Sequence, residues 1–127
     1  MRVTDNFLNK KDFSIIQKDL LSNAFPWYFQ NTVIIDGDDD YFFCHLYYTD
    51  VVNSDFYKTH IIPILKKINI SEKPIIRFKA GGIEFTKGHK VFSKQNSAVI
   101  FNGDIRHRSV TQTDTKSRIN ININYYD

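Results

Sequence analysis

The last residues of the chain alternate strictly between polar and apolar side chains. From Arg118 onward every second residue is polar, and the positions between are apolar: Ile119, Ile121, Ile123 and Tyr125. A period of two is typical of a β-strand with two unlike faces. Because asparagine is a poor strand former, the polar row indicates either a solvated sheet face or the lining of a pocket. That row comprises Arg118, Asn120, Asn122 and Asn124.

Two segments in the first half of the chain have helical periodicity. In residues 9–22, Asn9 is placed to cap the helix and Asp12 lies in the first turn, where a carboxylate favours the exposed amides. One apolar stripe runs along this segment: Phe13, Ile16 and Leu20. Such a stripe predicts a helix packed on a core.

A second helix is predicted to begin near Asn53 or Ser54. Pro63 is expected to kink or split it, because proline lacks a backbone donor and crowds the preceding turn. Its apolar stripe has helical spacing and consists of Tyr57, Ile61, Ile64, Leu65 and Ile68.

The rest of the pattern is that of short strands. Segments 27–35 and 41–48 read as two strands joined by the turn sequence DGDDD. Six further strands are separated by glycine-containing or polar turns: 75–79, 83–86, 90–92, 98–101, 105–111 and 118–125. Helices followed by many short antiparallel strands predict an α+β fold built on a sandwich or roll.

Composition places this pattern in a single domain, 1–127, large enough to bury a core. The lone Cys44 excludes an internal disulfide and favours a reducing, cytoplasmic setting. No apolar run approaches the roughly 20 residues of a membrane-spanning helix. A formal net charge of +3 is too mild to predict a nucleic-acid partner.

The final two predicted strands contain a candidate functional site. If their turn is centred between Gln112 and Thr113, His107 lies directly opposite Arg118 on one face. A neutral imidazole is a good ligand for iron or zinc, and a guanidinium holds a carboxylate through two parallel hydrogen bonds. The pair therefore suggests a metal ligand beside a carboxylate clamp. A surface hairpin with solvated charges is the alternative interpretation.

A longer stretch around these residues resembles a known family. The sequence GGIEFTKGHKVFSKQNSAVIFNGDIRHRSVTQTDTKSRINININ is similar to the closing half of the 2-oxoglutarate- and iron(II)-dependent oxygenases, of the prolyl-hydroxylase-like type found in phages and marine bacteria. The opening stretch DNFLNKKDFSIIQKDLLSNAFPWYF is similar to the entry helix and first strand of that group.

The resemblance implies roles for four residues. His107 corresponds to the second iron-binding histidine, and Arg118 to the arginine that binds the far carboxylate of 2-oxoglutarate, with Ser109 and Asn120 beside the cofactor. The implied cofactors are Fe(II) and 2-oxoglutarate, and the implied reaction is a hydroxylation. The implied fold is a double-stranded β-helix, a relative of the jelly roll and the cupins, with the two helices packed on the sheet.

One part of the family pattern is missing from this chain. The first two iron ligands of the family come as His-x-Asp or His-x-Glu, and none of the four histidines is followed by such a residue: His45, His60, His89 and His107. In PIIRFKAGGIEF the predicted strand 75–79 runs directly into Gly81-Gly82, so the β-helix is expected to be incomplete and the domain shortened near 79–81. Since the iron site needs two histidines and a carboxylate, we expect impaired or absent catalysis and leave open whether the chain is an enzyme.

The missing strands bear on partners and on alternative functions. A roll that loses strands exposes edges, which a homodimer would close while supplying a carboxylate in trans. The alternative function is a non-catalytic β-roll that binds a ligand or another protein. A third hypothesis is single-stranded nucleic-acid binding through Arg106, His107 and Arg108, to which the low net charge lends little support.

Three other features have simpler interpretations. The acidic run 36–40 is read as a hairpin turn and not as a calcium loop, because it lacks the EF-hand spacing. Glu84 leaves the Gly-Gly strand beside the expected site. Cys44 is expected to be a buried and inert thiol.

Overall fold

The structure, a computed structural model, describes residues 1–30, 42–70, 75–77, 82–85, 90–110 and 118–125. Its architecture is α+β, with two helical segments and small antiparallel sheets. The helical segments are α1 (Lys10–Leu20) and a π-helix (Tyr57–Ile61) that continues into α2 (Ile62–Lys67). The strands are β1 (Arg2–Asp5), β2 (Tyr28–Gln30), β3 (Phe42–Cys44), β4 (Ile75–Arg77), β5 (Gly82–Phe85), β6 (Lys90–Val91), β7 (Ser97–Ile100), β8 (His107–Val110) and β9 (Asn122–Asn124).

The first helix forms as its sequence predicts. Asn9 is the N-cap, and its side-chain oxygen accepts a hydrogen bond of 2.8 Å from the backbone N–H of Asp12. Asp12 returns the contact, because its carboxylate accepts from the Asn9 amide at 2.8 Å. Ile16 and Leu20 are buried, with Phe13 packed beside them. Local capping and the apolar stripe therefore agree, as they do in a stable surface helix.

Pro63 splits the second helix, as expected, and the break takes the form of a π-helical turn. The N–H of Ile62 bonds the carbonyl of Tyr57, five residues back, where an α-helix would use the fourth. Pro63 then lies in the first turn of α2, where a missing N–H leaves no internal bond unmade. The wider turn accommodates the proline ring and carries His60 into the core.

One core joins the helical segments to the chain around β3. Its most deeply buried members, Tyr47 and Ile61, are 0% exposed. The other buried apolar members are Phe7, Leu8, Ile16, Leu20, Phe25, Tyr48 and Leu65. Ile121 and Ile123 pack against this cluster from the last part of the chain, whereas Ile119 is exposed.

The sheets depart from simple hairpin order. β5 pairs with both β6 and β8, while β4 pairs with β9 and β1 with β7. The chain therefore changes sheet between β4 and β5, and again between β8 and β9. Among the described residues these pairings form no closed barrel. The predicted shortening near 79–81 and the turn at 36–40 lie outside those residues.

β1 was not predicted from the sequence. The residues that follow it are held by hydrogen bonds to Asn96. Asn96 has a left-handed backbone, φ 51°, and its side chain bonds both the N–H and the carbonyl of Leu8 at 2.9 Å. Its own carbonyl accepts from Phe7 at 2.9 Å. Asn96 thus extends the ladder in which β7 pairs antiparallel to β1. Asparagine tolerates the left-handed region better than most residues.

Two substitutions of Asn96 separate the contribution of its side-chain hydrogen bonds from that of its left-handed backbone conformation. Asn96→Gly keeps the backbone conformation and loses the side-chain bonds, so we expect a loss of about 1–2 kcal/mol in the free energy of unfolding. Asn96→Ala loses the same bonds but keeps a Cβ in the left-handed region, which the glycine variant lacks, so it should be about 1–2 kcal/mol less stable than Asn96→Gly. Urea unfolding measures both values. Equal losses in the two variants would show that the backbone conformation contributes nothing.

Candidate functional site

His107, the histidine expected to bind iron, opens β8. It lies opposite Phe85 in the ladder between β5 and β8, and it is exposed. Its Nδ1 lies 2.8 Å from the carbonyl of Ile105. Since a carbonyl only accepts, Nδ1 carries the proton, and Nε2 of the neutral ring carries the lone pair. The ring of Phe101 meets the imidazole edge to face, with centroids 4.7 Å apart.

The residues expected to bind 2-oxoglutarate lie in two separate parts of the chain. Arg118 and Asn120 are half-buried and precede β9 in a stretch without regular strand pairing. Ser109 lies in β8, two positions after His107 and opposite Ile83. Asn122, which continues the polar row, is half-buried at the start of β9. Half-burial of three members of that row indicates that neighbouring residues cover it in part.

The predicted hairpin that placed His107 opposite Arg118 is not found in the described residues. β8 pairs with β5, and Arg118 precedes β9, which pairs with β4, in a stretch outside the described ladders. The prediction assumed that consecutive strands pair with one another. Here the chain crosses between sheets instead, and residues 112–113, at the assumed turn, lie outside the described part.

Among the described residues, the side chains do not complete an iron centre of the expected kind. His107 has the tautomer that a metal ligand through Nε2 requires. A two-histidine, one-carboxylate site needs two further ligands. Within the described residues, no group of three histidine, cysteine, aspartate or glutamate side chains is placed to hold a metal. His89 and the 36–40 run lie outside those residues.

The structure also places three other residues considered in the sequence analysis: Glu84, Cys44 and Arg106. Glu84 lies in β5, opposite Arg108 on one side and Lys90 on the other in ladder register. Cys44 is half-buried and packs against the core, so it is less buried than predicted. Arg106 is exposed, next to His107.

A second constellation, not predicted from the sequence, surrounds His60. This histidine is 0% exposed, and both of its ring nitrogens are bonded. Nε2 donates to the carboxylate of Asp19 in α1 at 2.7 Å, and Nδ1 accepts from the hydroxyl of Tyr47 at 2.7 Å. Burial lowers the pKa of His60, against the opposing effect of the Asp19 carboxylate. Burial, together with Asp19, raises the pKa of Tyr47, so its hydroxyl remains a donor.

His45 forms a second buried network beside the first. Its Nδ1 donates to the carbonyl of Pro26 at 2.9 Å, which leaves Nε2 to accept from the hydroxyl of Ser54 at 2.6 Å. The Ser54 oxygen in turn accepts from the backbone N–H of Phe56 at 3.2 Å. The two imidazoles therefore hold opposite tautomers, each fixed by its partners.

The Ser54–His45 pair has the contact distance of a nucleophile and its base, but its surroundings point to a structural role. Ser54 is 7% exposed and His45 is 6% exposed. The imidazole packs against the rings of Phe25 and Phe56, and the hydroxyl caps the turn that leads into the π-helix. A substrate would have to displace these rings before it could reach the hydroxyl. The pair therefore fixes the entry to the second helix.

In comparisons with known proteins, no family model, curated protein or solved structure matches the chain. In the described part of the chain, every helix is too short or too polar to cross a membrane.

The structural role of Ser54 has a measurable consequence. Ser54→Ala leaves the buried His45 nitrogen and the Phe56 N–H without this hydroxyl, so we expect a loss of about 2–3 kcal/mol in the free energy of unfolding. Ser97→Ala is the matched control. Its hydroxyl also makes two bonds, both with Lys94, but Ser97 is only half-buried and these bonds are open to water. Urea unfolding that gives equal losses in the two variants would contradict the importance of burial.

Proposed function

We propose that the chain is an incomplete 2-oxoglutarate oxygenase-like β-roll that binds a small dicarboxylate through Arg118 and lacks a full iron site within one chain. The observation that supports this most directly is the half-burial of Arg118, Asn120 and Asn122 along one polar row. A solvated sheet face would leave those side chains open. A covered polar row headed by a guanidinium is suited to a carboxylate ligand.

The sheet connectivity supports a roll. In a β-roll or sandwich the chain passes repeatedly between two facing sheets, which lie about 10 Å apart. β5 and β8 pair with each other, and in sequence both lie between β4 and β9, which pair in a different sheet. The chain therefore changes sheet between β4 and β5 and again between β8 and β9. Residues on β8 and near β9 would then face one another across an interior wide enough for a small ligand.

The segment that follows Arg118 is anchored to the core. Ile121 and Ile123 pack on the core that the helices build, whereas Ile119 is exposed. Arg118 and Asn120 precede β9 and are half-buried. A guanidinium in this stretch, shielded in part from water, attracts a carboxylate more strongly than an exposed one does.

Iron chemistry is not part of the proposal for a single chain. When bound in a complete site, the metal and 2-oxoglutarate together activate dioxygen. In this chain, His107 is the one candidate ligand that the resemblance supplies. Its fixed tautomer is compatible with that role, and Phe101 orients the ring. A homodimer that adds a carboxylate in trans would supply one of the two missing ligands, and a second histidine would still be needed.

Calorimetric titration with 2-oxoglutarate tests the dicarboxylate site. We expect binding that Arg118→Ala weakens by about 10- to 100-fold, the effect of losing a charge-assisted hydrogen bond. Arg118→Lys should recover little, because lysine cannot form the two-pronged contact. Arg106→Ala, at an exposed arginine, is the matched control and should bind as the wild type does. Wild-type affinity in Arg118→Ala would refute the proposed site.

Anaerobic addition of Fe(II) and 2-oxoglutarate tests the metal centre. We expect no visible charge-transfer band from the folded protein, because two ligands of the triad are missing. The mass in solution is measured on the same sample by light scattering. A band that both His107→Ala and Arg118→Ala abolish would overturn the expectation. In a dimeric sample, such a band would identify a site completed by a second chain.

A further inference from the structure

His60 joins three parts of the fold through one buried side chain. It lies in the π-helix, its Nε2 contacts Asp19 of α1, and its Nδ1 contacts Tyr47 of the segment after β3. The side chain of Asp19 is 34% exposed, whereas that of His60 is fully enclosed. A single imidazole thus connects the helical segments to each other and to the chain that follows β3.

The two hydrogen bonds of the His60 ring require a neutral imidazole. Neutral His60 donates from Nε2 and accepts at Nδ1. Protonation would place a second donor 2.7 Å from the Tyr47 oxygen and turn the hydroxyl hydrogen of Tyr47 away from the ring. It would also bury a positive charge among aromatic rings. The Phe25 ring lies parallel to His60 with centroids 5.9 Å apart, and the Phe56 ring lies at 5.2 Å.

The charged and titratable groups facing His60 act in opposite directions. The carboxylate of Asp19, from α1, favours the charged ring, and His45, from the segment after β3, opposes it. Tyr47 contributes a hydroxyl whose pKa is raised, so it stays uncharged. Burial is the largest effect and lowers the pKa of His60. The neutral ring is therefore the form that the closed structure holds.

We propose that His60 is a pH-sensitive clasp: neutral, it holds the π-helix and the segment after β3 on α1, and its protonation releases them. Stability from such a group is present above the unfolded pKa, about 6.5, and is lost as the pH falls through the folded value. Release would uncover the core against which Ile121 and Ile123 pack. Acid would thus loosen β9 without acting on its own residues.

Trp27 offers a reporter at the clasp. It is the single tryptophan of the chain, its indole donates to the carbonyl of Leu20 at 3.3 Å, and its ring lies 4.9 Å from that of Phe25. Opening of the cluster would expose the indole to water. We expect its emission to shift to longer wavelength below about pH 6.5, with a slope of about one proton.

Three substitutions test the assignment to His60. His60→Gln retains a donor and an acceptor but cannot be protonated, so the transition should disappear from this pH window. Asp19→Asn removes the charge that favours protonation, so the midpoint should move to lower pH. His107→Gln, at an exposed histidine outside the cluster, is the matched control and should leave the midpoint unchanged.

Histidine titration by NMR on the wild-type protein provides a second readout if His60→Gln does not fold. The ring signal of His60 should titrate at the same pH as the Trp27 emission. The proposal is overturned if wild-type emission is constant down to pH 5, if the transition persists in folded His60→Gln, or if the NMR and emission midpoints differ.

Discussion

The hydrogen bonds of His60 are the constraint around which the described core is arranged. A fully enclosed imidazole needs a partner at each nitrogen, since an unpaired buried polar atom is costly. Asp19 and Tyr47 meet that need from two distant parts of the chain. Their contact fixes α1 against the π-helix. The aromatic rings around it exclude water, which strengthens the bonds and narrows the conformations that satisfy them.

The packing of β9 extends this constraint toward the candidate site. Ile121 and Ile123 rest on the same cluster that encloses His60. The stretch that contains Arg118 is thus joined directly to a segment anchored in the core. The proposed binding at the polar row would be linked to the helical core through these two half-buried side chains. A ligand contact would thus be positioned by a core that takes no part in the binding itself.

The exposed histidine and the two buried histidines differ in what their ring nitrogens can bind. His107 is exposed, with one nitrogen fixed by a local carbonyl, and so its other nitrogen suits a ligand role. His45 and His60 are enclosed and bonded at both nitrogens, which suits structure more than catalysis. The proposed roll accordingly combines a single candidate metal ligand with a guanidinium for carboxylate binding. A complete iron centre would require groups from elsewhere.

The sequence by itself determined the local features. Asn9 capped α1, Pro63 split the second helix, and most strands formed within their predicted segments, because capping, ring geometry and alternation act over a few residues. Only the tertiary structure decided the pairing of β8 with β5 and the left-handed role of Asn96. It also decided the enclosure of His60 by Asp19, 41 positions away. These contacts depend on which distant segments share a core, and side-chain periodicity carries no information about that choice.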